Sequence, residues 1–153
     1  MDELEAIGRV VVAMVNKFTE RILMPYDTDE IKFLIDNDVT LVDIYRKLYQ
    51  EVQTGEYKHW KEENKERWDL INRMLLMAAS IIIKVPRNLV EEHFSLQNVL
   101  NLLREKRPDV YELVRDGKGK VWLERSIEQL KEALYDAAEN LQKQAQNYLR
   151  QNQ

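Results

Sequence analysis

Glu56 and His59 stand three residues apart, the spacing that puts a carboxylate and an imidazole on one helix face, and such an E-x-x-H pair is one part of a di-iron bundle centre. A complete centre takes a second pair and two further carboxylates. The only other histidine, His93, has Val90 where its glutamate would stand, and it follows Glu91 and Glu92 directly, so no H-E-x-x-H zinc site is spelled out. Cysteine is absent, which removes thiolate ligands, a cysteine nucleophile and disulfides together. Neither a metal nor a cofactor is expected.

Phosphate and acyl chemistry have no better footing. The run DGKGK at 116–120 lacks the G-x-x-x-x-G-K-[ST] spacing whose backbone N–H groups cradle phosphates, and no strand precedes it, so it reads as a helix-to-helix turn. Ser80, Ser95 and Ser126 sit beside no evident base, no G-x-S-x-G occurs, and Ser80 within LLMAASIII is expected to be packed. Carboxylates are too many and too evenly spread to nominate an acid–base pair. An enzyme is not expected.

The elements that would position any such groups are helical throughout. Four glycines and three prolines in 153 residues leave few breaks. Ile7, Val11, Met14, Phe18 and Ile22 recur at four- and three-residue steps, which predicts a helix over about 2–24, stopped by Pro25. Asp27 with Glu30, and Thr40 with Asp43, have capping-box spacing for two short helices. Gly55 is a left-handed terminator. Tyr57, Trp60, Trp68, Ile71, Leu75, Ala78 and Ile82 predict a long helix over about 56–84, apolar nearly all round at its end, as a central helix would be. Short helices follow near Leu96–Leu103 and after Pro108. Leu123, Ile127, Leu130, Leu134, Ala137, Leu141, Gln144 and Tyr148 then keep a seven-residue repeat that predicts a helix over about 120–150. The expected fold is a single all-α domain over 1–153, a bundle of three long helices with short intervening ones. Its amide-rich tail, 141–153, is expected to fray.

Residues 31–50 resemble the first half of a helix-turn-helix: EIKFLID, a break at NDV, and TLVDIYRKL with Ile44 and Leu48 as inward anchors. Tyr45 and Tyr49 stand where that motif wants a small residue and a glycine, and QEVQTGEYKHWKE is cut by Gly55 in the part that would touch bases. Aromatic residues also interleave with cations between Tyr45 and Trp68, the composition of single-strand binders, although Glu51, Glu56, Glu62, Glu63 and Glu66 cancel the charge locally. A nucleic-acid role is therefore the alternative reading, with Arg46, Lys47, Lys58 and Lys61 in residues 28–67, and Arg104, Lys106, Arg107, Lys118 and Lys120 in the basic turn at 104–120, as its contacts.

Overall charge gives that alternative no global field, since 23 Lys and Arg face 27 Asp and Glu. Residues 1–39 hold nine acids and four bases, whereas 104–120 lean basic by two. The opening residues lack the basic start of a secretory signal, and the run VVVAMV is far short of the ~20 residues that span a bilayer, so a soluble cytoplasmic protein is expected. What remains is surface suited to protein. The seam formed by Leu123, Ile127, Leu130, Leu134, Leu141 and Tyr148, with Trp122 beside it, either folds back as core or pairs with another chain. The leading expectation is a non-catalytic helical binding or assembly protein, with a protein partner or self-association as a homo-oligomer, no membrane and no small-molecule substrate.

Overall fold

A computed structural model describes residues 2–23 and 26–152. Among them there is no strand. The helices are α1 (Glu3–Leu23), α2 (Thr28–Asp36), α3 (Leu41–Thr54), a one-turn 3-10 helix (Glu56–His59), α4 (Glu62–Ile82), α5 (Arg87–His93), α6 (Leu96–Lys106), α7 (Pro108–Val114) and α8 (Gly117–Gln151). The expected stop of the first helix at Met24 and Pro25 lies outside the described residues.

Local chemistry sets most of these boundaries. Asp27 accepts the Glu30 backbone N–H at 2.8 Å while Glu30 accepts that of Asp27, closing a capping box that starts α2. Thr40 and Asp43 do the same for α3. Gly55 ends α3 at φ +83, a conformation that costs a residue with a Cβ about 1–2 kcal/mol. Ser95 caps α6 through the Asn98 N–H, a role its place after His93 and Phe94 did not advertise.

The long helix expected over 56–84 is interrupted. Trp60 and Lys61 are extended, with ψ near 150°, and α4 begins only at Glu62. The Trp60 indole N–H donates to Glu51 on α3 at 2.8 Å, which holds the chain folded back at this point, and Glu62 and Glu63 then favour a fresh helix N-terminus. At the other end of the molecule α8 starts earlier than expected. Only Arg115 and Asp116 separate α7 from α8, so DGKGK opens a helix instead of forming a loop. Gly119 is the reason the corner can be so tight, because a Cβ there would lie 1.8 Å from the Leu113 carbonyl oxygen.

α4 packs against both α1 and α8, the central position its sequence suggested. Ala78 and Ala79 are fully buried, and their small side chains let the neighbouring helices approach. Val11, Met14, Val15, Phe18 and Ile22 of α1 meet Phe94 and Val99 from the α5–α6 region and Leu123, Ile127 and Leu134 of α8 in one core. Phe18 and Phe94 touch edge to face, with ring centroids 5.9 Å apart. The outer side of α4 departs from expectation: Leu76 and Ser80 are exposed, and the Ser80 hydroxyl bonds its own helix at the Met77 carbonyl. Among the described residues no helix is long and apolar enough to cross a membrane.

Candidate protein-binding surfaces

α8 is 35 residues long, about 52 Å at 1.5 Å per residue, and its two ends have different environments. Of the residues expected to form an interface, Trp122, Leu123, Ile127 and Leu134 are buried inside this chain. They are core, because α8 folds back along α4 and lies against α3, α6 and α7. Leu130 and Leu141 are partly buried against the same core. Only Tyr148, at 66% exposure, stands free as expected of an interface residue, and Leu149 beside it is 60% exposed. Residues 139–151, which include most of the amide-rich tail, are helical, and every residue there except Leu141 is exposed. The heptad seam thus has two parts, one covered by the chain itself and one left open.

Charged side chains lock the covered part. Lys131, only 5% exposed, donates to Glu91 of α5 at 2.7 Å and pairs with Glu128 at 2.9 Å. Tyr135 donates to the other Glu91 oxygen at 2.8 Å, under the Arg87 guanidinium. The Lys131 bond, helped by Tyr135, holds the Glu91 carboxyl below its usual range. Burial alone would lower Lys131, but the two carboxylates outweigh it and its pKa is raised. Burial and the bond to Glu91 push Tyr135 up to about 12.

A second surface is a groove of about 340 Å³ between α2 and α4, with Tyr26, Leu34 and Ile44 as its floor. Phe33 forms its lip and is 63% exposed. Arg67 crosses it, bonding Glu30 at 2.9 Å and Glu63 at 2.8 Å and lying over the Tyr26 ring at 4.9 Å. Burial raises the Tyr26 pKa, with Arg67 opposing. The sequence did carry a sign of this site: Phe33 falls off the Ile31–Leu34–Ile35 stripe, so a helix there must present it outward.

The expected aromatic residues do come together. Tyr45 stacks on Trp68 at 5.3 Å, Tyr49 and Trp60 flank the same indole, and Tyr57 meets Trp60 edge to face. Their faces are largely spent on one another, while Tyr49 and Tyr57 keep exposed edges. Burial raises the Tyr45 pKa, and Tyr49 adds to it. The cations of the alternative reading are divided among several elements: Arg46 and Lys47 on α3, Lys58 and Lys61 around the 3-10 turn, Arg104 and Lys106 on α6, Lys118 and Lys120 on α8. Arg104 bonds the Tyr111 hydroxyl. Arg107 is committed inward, to the Leu23 and Tyr26 carbonyls and to Asp109, where a phosphate contact would need it facing out.

Glu56 and His59 are both exposed on the one-turn 3-10 helix, and among the described residues no group of three or more His, Asp or Glu is placed to hold a metal ion. Compared with protein-family models, curated proteins and solved structures, the chain matches none.

Proposed function

We propose that this is a non-catalytic assembly protein that works through helical surfaces and pairs with a second copy of itself along the open end of α8. One observation carries the reading. The seven-residue repeat that builds this chain's own core runs on past the half-buried Leu141, through Gln144 to Tyr148, and among the described residues Ala145, Tyr148 and Leu149 find no covering element. Charge favours a like partner there: between residues 139 and 151 the only ionised groups are Glu139, Lys143 and Arg150. Two copies can approach without repulsion, and a differently charged protein finds little to recognise. Gln144, a polar residue in the seam, would fix the alignment of the pair.

The contact is short, well below the ~800 Å² per partner of a standard interface, so association belongs to the weak class and depends on concentration. Light scattering tests it: the molar mass should climb above 18.3 kDa as concentration rises, and a Tyr148→Ser, Leu149→Ser variant should stay at the monomer value.

The nucleic-acid reading keeps one observation in its favour, the exposed Tyr49 and Tyr57 edges in the segment that also carries Arg46, Lys47, Lys58 and Lys61. Its signature is a negative slope of log affinity against log salt, since phosphate contacts release counterions. A flat line eliminates it.

A further inference from the structure

We propose that the groove between α2 and α4 receives a large apolar side chain from a basic amphipathic helix of another protein, a surface separate from the α8 pairing. The groove has an apolar floor of Tyr26, Leu34 and Ile44, and Phe33 stands on its lip with more than half its surface in water. At about 340 Å³ it lies near the small end of ligand cavities, roughly 300–1,000 Å³, and it is lined by one side of α2 with Ile44 of α3 and Arg67 of α4 beside it, which suits one anchor of an incoming helix.

Charge selects the partner. Arg67 is the groove's cation, and Glu30 and Glu63 already hold it. Asp27 is spent on capping α2, which leaves Asp29 on the rim with no cation beside it. Asp29 is exposed and has no ion-pair partner among the described residues. An acidic ligand would find no available cation, and a neutral one would strip water from carboxylates and return nothing. A cationic ligand alone leaves every rim charge paired. Asp29 and Phe33 are four apart and share one side of α2, so the matching helix carries Lys or Arg about one turn from its Leu, Met or Phe anchor. The exposed α8 end of a second copy fits poorly, because neither Lys143 nor Arg150 stands one turn from Tyr148 or Leu149.

The test uses the full chain and a fluorescent helical peptide of about five turns, leucine on one face and lysine on the other, with anisotropy as readout. Two comparison peptides have the same composition in scrambled order and glutamate in place of lysine. The amphipathic lysine peptide should bind, and more weakly as salt rises. Phe33→Ser and Asp29→Lys, each checked for unchanged helicity, should weaken it at least about tenfold, and Leu149→Ser should not. Equal binding of the scrambled peptide would overturn the proposal by showing attraction to net charge alone. So would retention of affinity within about twofold in both groove variants, or loss of binding in Leu149→Ser. Self-association is read separately, from molar mass without peptide, so either proposal can fail while the other stands.

Discussion

The Trp122 indole N–H donates to the Val39 carbonyl at 2.6 Å across 83 residues of chain, fastening the start of α8 to the turn between α2 and α3. Trp122 is 2% exposed and Val39 is half-buried. Thr40, fully buried, adds a hydrogen bond to Gln129 one residue further on, and Arg125 pairs with Asp38 at 2.8 Å in the same turn. The stretch that resembles a helix-turn-helix is therefore pinned to α8 by its turn. Trp122→Phe should keep the ring but orphan the carbonyl, lowering stability by about 1–3 kcal/mol in urea unfolding. An unchanged midpoint would mean water reaches Val39.

Gly119 tolerates no side chain. Gly119→Ala would drive a methyl into the Leu113 carbonyl and force α7 away from α8, at a cost of about 3 kcal/mol or more. Gly117→Ala is a milder change, since the space there is open and only its φ of +59 is strained, about 1–2 kcal/mol. Thermal unfolding of the two variants should rank them in that order.

Acid sensitivity should centre on Asp109. Arg107, and then the Thr28 hydroxyl at 2.7 Å, hold its carboxyl well below the usual carboxylate range. A folded pKa below the unfolded one gives stability that is complete above about pH 5 and drains away as pH falls below about 4. The pair is partly solvated, so Asp109→Asn should cost no more than about 1 kcal/mol at pH 7 and flatten the acid limb of a stability–pH profile.

The Lys131 network should show an asymmetry. Lys131→Met replaces a buried ammonium by an apolar chain of similar shape and leaves Glu91 and Glu128 in contact with water, so stability at pH 7 should move by about 1 kcal/mol or less. Glu91→Ala with Glu128→Ala strands the buried cation instead and should cost about 3 kcal/mol. Alkali should act on the same cluster. Lys131 and Tyr135 both have raised values, so each contributes stability that is present below about pH 10 and lost in stronger alkali, for Tyr135 as pH climbs toward about 12. Tyr135→Phe should remove part of that alkaline limb.

The helical periodicity was plainly legible, because alternating three- and four-residue steps in α1 and α8 leave no other way to hide those side chains. Both capping boxes and Gly55 were legible for the same local reason. The break at Trp60 was not, since it depends on Glu51, nine residues earlier, capturing the indole N–H. Nor was the early start of α8, because Gly119 reads as a turn residue until Leu113 lies against it. The seam told that α8 buries one face, but not against what. Only tertiary packing separates Leu134, which is enclosed, from Tyr148, which is not. Phe33 was visible as a residue out of phase, and its meaning came from Arg67, brought across from α4.

The most direct test of self-pairing uses the absence of cysteine from the chain, which makes any introduced thiol unique. Ala145→Cys places one in the open seam, and Ser80→Cys places one on the exposed side of α4 as a reference for random encounters. A disulfide forms only where Cα atoms come within roughly 7 Å. Under mild oxidation Ala145→Cys should cross-link into dimers far faster than Ser80→Cys, and Tyr148→Ser with Leu149→Ser should slow it to the reference rate. Equal rates for the two single-cysteine proteins would contradict the account.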